Sequence, residues 1–412
     1  MPTRSLTPVC LAMLCTLTAL CAEPAPPGDD EPTLIVKTDG TKIAVLKVTQ
    51  DDYLYVAGVG KGGGQVKVPS HAVKDVLYAD RNEEYNAALE KMGEQRFTLA
   101  ALYFRKAFDK MPDSKWAQEY CMYGIGAALY ASGNFNAYRN RNGLEVYASP
   151  AVYFADVLKT NPRSRFLPDI AAKLPVCLIE QGKLDEAAAA LLQSTEQIKK
   201  YRDETIRIDS GFVRIASRAH GQLAIAAATL AEHRALAKQG EWLAARERWY
   251  AARTQCADIP DLWSQAVVGL LRTLLAAPDL PTAQAEAASL IEKYEKDSGG
   301  KEAVLAAAYM TLGKAHLASG ITNAERGQTL LAHSAYAEAR WAFLHVVGVY
   351  FDDADQLAEA HFFAGVCHDR LREIEGDAAQ NARREWQTVV DTFPKSASAF
   401  AAERELARTR TP

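Results

Sequence analysis

The phrase Pro-x-Ser recurs at three boundaries of this 412-residue chain: Pro112-Asp113-Ser114-Lys115-Trp116, Pro162-Arg163-Ser164-Arg165-Phe166 and Pro394-Lys395-Ser396-Ala397. Each copy follows an amphipathic run and opens another apolar run. Proline stops a helix because it has no N–H to donate and its ring collides with the preceding turn. The serine two residues on is placed to cap the next helix, its hydroxyl oxygen accepting a free backbone N–H. This punctuation predicts helical hairpins stacked in series. Such arrays bury the shared faces of neighbouring hairpins and leave an extended outer surface, which suits binding better than catalysis.

Composition narrows the class. Hydrophobic residues make up 49% and charged residues 24%, the balance of a folded chain rather than a disordered one. The formal charge of −4 is spread without blocks of like sign. That excludes the basic footprint expected of a nucleic-acid binder.

The first 22 residues read as an export signal. Arg4 supplies the positive end, Leu6 to Leu20 form an apolar stretch short for a bilayer, and the small residues Ala19 and Ala22 mark a cleavage region. A retained anchor is the competing reading. Cys21 adds another, since bacterial lipoproteins carry lipid on a cysteine at this point. Their pattern has a small residue just before it, where this chain has Leu20. Plain cleavage is therefore expected, giving a periplasmic or secreted protein that touches a membrane only if Cys21 is lipidated. Cys121, Cys177, Cys256 and Cys367 lie far apart within helical runs. They are expected to be buried and unpaired rather than a disulfide framework or metal set.

Residues 23–32 form a Pro-, Asp- and Glu-rich lead. From 33 to 80 the texture is that of about five short strands: Leu34–Val36, Ile43–Val48, Tyr53–Val56, Val66–Val68 and Val73–Tyr78, with Asp39-Gly40 as a hairpin turn. This stretch resembles the SH3-like or Sm-like barrels. From 81 to 412 the chain reads as helix, in pairs at 82–111, 115–161, 166–197, 207–256, 260–296, 301–350 and 354–393, with 397–409 as a polar-faced cap. Residues 134–149 are an insertion, and Ile321 to Leu330 is expected to be a loop.

The first pair places Ala88, Ala100 and Ala107 where helices must approach closely, Phe104 between hairpins and Pro112 at the end. In this order of small, aromatic and terminal Pro residues it resembles the tetratricopeptide repeat. Ala382, Trp386 and Pro394 repeat the order in the last pair. The resemblance implies a mainly α fold: a tetratricopeptide-like α-solenoid behind a small N-terminal β-barrel. Longer first helices with Pro-x-Ser junctions are similar to those of periplasmic tetratricopeptide proteins of bacterial envelopes.

Few residues suggest chemistry. Gly58-Val59-Gly60-Lys61-Gly62-Gly63-Gly64 lacks the Ser or Thr and the helix that a phosphate-binding loop requires, and reads as a hairpin tip. His361 and His368 stand two turns apart, beyond the one-turn spacing by which a helix offers two zinc ligands. Asp352, Asp353 and Asp355 precede a helix and suit its N-terminus. No catalytic residue, cofactor or metal is expected. The aromatic residues carry the stronger signal. Trp116, Tyr120, Tyr123 and Tyr130 recur at helical spacing, and in tetratricopeptide arrays the first helix of a pair lines the groove that holds partner segments. Packing between hairpins explains the same stripe. The insertion, with Phe135, Tyr138, Arg139 and Arg141, is a second candidate partner-binding surface. The expected function is a non-catalytic scaffold binding other proteins of the cell envelope. The alternatives are polysaccharide or ligand binding through the β domain, and an enzyme with an unrecognised site.

Overall fold

The computed structural model describes residues 32–139, 145–277, 279–296, 299–350 and 353–409. The leader reading, Cys21 included, lies outside them.

Six strands come first: β1 (Thr33–Lys37), β2 (Lys42–Val45), β3 (Lys47–Asp51), β4 (Tyr55–Val59), β5 (Gln65–Pro69) and β6 (Val73–Leu77). They form two three-stranded antiparallel sheets, β2-β1-β6 and β3-β4-β5. The expected closed barrel and its five strands are thus corrected. The run Ile43–Val48 breaks at Leu46, which is exposed where the chain leaves one sheet for the other. Its neighbour Val45 is fully buried and lies over Gly58, where a Cβ would come within 3.0 Å of the Val45 side chain. The chain turns there to bury Val45, so one apolar run yields two strands. Asp39-Gly40 does make the first turn: Gly40 takes φ 85° and the Asp39 carboxylate accepts the Thr41 N–H. The glycine run forms the β4–β5 tip, closed by the Gly60 N–H donating to the Gly64 carbonyl.

The helices follow as seven hairpins: α1 (Glu83–Gly93) with α2 (Phe97–Lys110), α3 (Lys115–Ala131) with α4 (Pro150–Thr160), and α5 (Leu167–Glu180) with α6 (Leu184–Thr205). Next come α7 (Gly211–Leu236) with α8 (Trp242–Gln255), α9 (Pro260–Ala276) with α10 (Leu280–Tyr294), and α11 (Glu302–Glu325) with α12 (Thr329–Val349). The last pair is α13 (Ala354–Arg370) with α14 (Ala378–Thr392), and α15 (Ala397–Arg408) closes the array. Each helix packs on the next in order, which is the tetratricopeptide-like arrangement. The insertion between α3 and α4 contains a short ribbon, β7 (Tyr138–Arg139) and β8 (Glu145–Tyr147).

Two local expectations change. Ile321–Glu325 is helical rather than loop, and α11 runs to Glu325 before the turn at Gly327 (φ 71°). There the Gly327 and Gln328 N–H groups return to the carbonyls of Ala324 and Asn323, satisfying the helix end. Of the three junction serines, Ser114 caps its helix through the Ala117 N–H. Ser164 accepts the Phe166 N–H at 3.2 Å and also donates to the Glu119 carboxylate at 2.6 Å, a charge-assisted bond. Ser396 makes no cap bond.

Packing explains a second regularity. A helical glycine costs about 1 kcal/mol against alanine, yet six of them sit under aromatic rings. A Cβ on Gly124 would meet Phe104, on Gly126 Phe154, on Gly269 Trp249, on Gly313 Phe343, on Gly320 Tyr336 and on Gly365 Trp386, all within 2.8 Å. In each case the first helix of a hairpin gives up a side chain so that a ring from a second helix can reach its backbone. The array is locked ring into groove.

Among the described residues, Cys121, Cys177, Cys256 and Cys367 are free and buried. Burial pushes the thiols of Cys121, Cys177 and Cys367 up to about 12 and that of Cys256 up to about 11. None should be alkylated in the native protein near neutral pH, and all four should be once it is unfolded, as peptide mapping after iodoacetamide would read. Rapid native labelling of any of them would contradict this packing. Among the described residues no helix is long and apolar enough to cross a membrane.

Candidate functional site: a groove between the sheets and the first helices

A groove of about 800 Å³ opens where the β module meets the array. Its floor comes from the first helices of four successive hairpins: Tyr85 of α1, Tyr120, Tyr123 and Tyr130 of α3, Asp169 and Lys173 of α5, and Ile215 and Arg218 of α7. Its wall is the short 3₁₀ turn Ser70–Ala72 with Val73–Asp75 of β6.

The wall is fixed firmly. Strand residues Ile35, Val45, Val56 and Val76 share one apolar core with Tyr85, Phe104, Tyr120 and Ile125. Tyr78 stacks on Trp116 with centroids 4.3 Å apart, and the Trp116 indole N–H donates to Asp80 at 3.0 Å. On the far side the Tyr53 N–H donates to the Arg163 carbonyl, and its hydroxyl donates to Glu204 at 2.7 Å. His71 lies edge-on to Phe212, with Nε2 3.1 Å from the Asp209 carboxylate. A Cβ on Gly211 would come within 2.2 Å of the His71 ring, so that glycine admits the contact.

At the centre stands Arg165, with only 7% of its side chain exposed. Its guanidinium lies 3.8 Å from Asp51 of β3 and 3.6 Å from Asp75 of β6. It also lies over the rings of Tyr120 and Phe166. The other Asp51 oxygen accepts hydrogen bonds from the hydroxyls of Tyr78 and Tyr120. Burial raises the Asp75 carboxyl above its ordinary value, an effect that Arg165 partly offsets. Burial likewise holds the Tyr120 and Tyr123 phenols well above theirs. Two carboxylates from the sheets therefore close on one guanidinium from the helical array.

The sequence-derived candidates divide. Tyr120, Tyr123 and Tyr130 face the groove, where Tyr123 stacks on Phe166 at 3.9 Å and donates to Asp169. Lys173 lies over the Tyr130 ring, 5.4 Å from its centroid. Trp116 packs on the β module instead. Phe135 lies edge-on to Tyr130, and Tyr138 is exposed on β7. The Arg139 backbone belongs to β7, and Arg141 lies outside the described residues. The aromatic stripe thus serves packing and groove lining together. Sequence reading missed Arg165, Asp51 and Asp75. Arg165 stands inside the Pro162–Phe166 junction phrase, whose grammar masks a buried charge, and Asp51 reads as a turn residue.

Other candidates have local partners. His361 Nδ1 is 2.6 Å from the Glu385 carboxylate, and His368 lies beside Arg340. Asp353 caps α13 through the Asp355 and Gln356 N–H groups. Among the described residues no three His, Cys, Asp or Glu side chains are grouped to hold a metal ion.

No protein-family profile and no curated protein matches the chain. Solved structures resemble it in outline. A tetratricopeptide repeat protein from Parabacteroides merdae is 10% identical over 80% of this chain and 98% of its own, with a TM-score of 0.44. The C-terminal part of a TPR repeat-containing protein from Cytophaga hutchinsonii is 11% identical over 77% of this chain and 98% of its own, at 0.37. BtubC from P. vanneervenii is 12% identical over 58% of this chain and 88% of its own, at 0.38. Helices packed in series make the chain a helical repeat protein.

Proposed function

We propose that this protein is an exported, non-catalytic scaffold of the bacterial cell envelope that holds a segment of a partner protein in the groove between its sheets and first helices. The observation that carries this reading is the shared lining of that groove by Tyr120, Tyr123 and Tyr130 and by the β6 wall. Tyrosines on rigid helices combine large apolar area with a polar tip, the chemistry that anchors interfaces. The wall is fixed to the array by a common core, so the groove is ready-made and binding spends little on ordering it. Export and envelope location are supported by Arg4, the apolar run Leu6–Leu20 and the small residues Ala19 and Ala22.

A photo-crosslinking residue at Tyr130 in cells should trap a protein partner, while the same residue at exposed Leu330 of α12 should not. Tyr130→Ala should weaken binding of the isolated partner by about tenfold or more, the range of an aromatic anchor. Equal trapping at both positions would remove the groove from the proposal. Mass spectrometry of the mature N-terminus tests export: a chain starting after Cys21 or Ala22 is expected, and an uncleaved cytoplasmic chain would defeat the envelope assignment.

A further inference from the structure

The β module carries a surface that the groove does not use. Residues 40–50 and 53–74 hold five lysines and no aspartate or glutamate, in a chain whose formal charge is −4. These lysines are spaced too widely to form a run in the sequence, and the fold brings several together. Lys47 of β3 pairs with Val59 of β4, and Lys67 of β5 pairs with Ala57, two residues along the same strand. Side chains two apart on a strand share a face. Both lysines therefore stand on one side of the sheet, their Cα atoms about 12 Å apart from strand spacing and rise. The opposite side holds Val56 and Val68, buried in the core shared with the helices. The lysine side faces solvent, and Lys47 and Lys67 are exposed. Exposed Lys61 stands on the β4–β5 tip at the end of this face. The Leu46 N–H donates to the Val59 carbonyl at 2.7 Å, which seats Leu46 at the same end, where it is 59% exposed.

The positive charge of this face is left uncompensated. Among the described residues Lys47, Lys61 and Lys67 form no ion pair. The acidic residues of the module are engaged elsewhere: Asp39 with Lys37, Asp52 with Arg163, and Asp51 and Asp75 with Arg165. Lys67 lies over the Tyr55 ring, 3.7 Å from its centroid. Lysines, an aromatic ring and a bare leucine on one surface are the chemistry of a membrane interface. Lysines are drawn to anionic headgroups, an apolar side chain enters among them, and tyrosine settles at headgroup level. A soluble polyanion would meet the lysines but gain nothing from Leu46.

We infer that this face docks on an anionic lipid surface, with Leu46 entering the headgroup region beside the lysines. The protein is purified with its native N-terminus, the same in every variant. Its pelleting is measured with vesicles of phosphatidylglycerol in phosphatidylcholine and of phosphatidylcholine alone. Binding to the anionic vesicles should be about tenfold tighter or more, and the preference should shrink as salt rises. Lys47→Glu together with Lys67→Glu should abolish the preference. Leu46→Ser should weaken anionic-vesicle binding several-fold, with circular dichroism confirming the fold of each variant. None of these residues lines the groove, so partner trapping at Tyr130 should be unchanged by all three substitutions. Equal binding to the two vesicles, a preference that survives the double substitution, or binding indifferent to Leu46→Ser would overturn the inference. So would lysine-dependent binding of soluble polyphosphate in place of the vesicles.

Discussion

Arg165→Leu should destabilise the N-terminal half of the protein by about 3–5 kcal/mol, the cost of leaving buried charges without their counter-ion. The substitution keeps an apolar stem against Tyr120 and Phe166 but removes the cation that pairs with both Asp51 and Asp75. Urea unfolding would measure the loss. Asp75→Asn in the same chain should recover part of it, because one of the two stranded charges is then gone. The pH dependence has a definite sign. Burial raises the folded-state Asp75 carboxyl above its ordinary 3.8. Its contribution to stability is therefore present below 3.8 and is lost as pH rises through the folded value. Removing Arg165 removes an influence that lowers this carboxyl, so it moves up further. The variant's deficit should then be smaller near about pH 5 than near about pH 8. A deficit independent of pH would show that Asp75 is not the group left unpaired.

Trp386→Ala should cost about 3–5 kcal/mol, the range for emptying a large buried aromatic site, and the damage should stay local. Trp386 is fully buried, its indole N–H donates to the Phe362 carbonyl at 3.1 Å, and its ring fills the space over Gly365. Its apolar cluster joins only α13, α14 and α15 with their flanks. In a stacked array each hairpin contacts its neighbours and little else, so stability is lost where the interface is lost. Hydrogen exchange should accelerate across residues 354–408 and remain slow in α3 to α6. Uniform acceleration along the chain would mean that the array unfolds as a single unit.

The same coupling bears on the β module. Deleting residues 33–79 would strip Ile35, Val56 and Val76 from a core they share with Tyr85 and Phe104, and would leave Arg165 buried without its carboxylates. Loss of binding in such a deletion would therefore report damage to α1–α3 as much as the absence of a ligand site. Single substitutions in the groove separate the two.

Much of the architecture was legible before any coordinates. The seven hairpins fall where proline, glycine and apolar periodicity place them, because these signals act within a few residues of chain. The small residues at 88, 100 and 107 and the rings at 104 and 386 took the packing roles their order implied. What local pattern could not decide was any choice between partners distant in sequence. Ser164 accepts the nearby Phe166 N–H, as local pattern allows, but its hydroxyl also donates to Glu119, 45 residues away. The run Ile43–Val48 had strand character throughout, yet burial of Val45 bent it into two sheets. Asp51, Asp75 and Arg165 are ordinary surface residue types until the fold removes water from all three at once. Alone, the amino-acid order determined which segments become helices and where each stops, since that depends on backbone geometry a few residues wide. Only the tertiary structure decided that the sheets dock on α3 and α7, that a groove forms between them and that Arg165 pairs with two carboxylates of the sheets, because burial makes such charges depend on whichever distant group arrives.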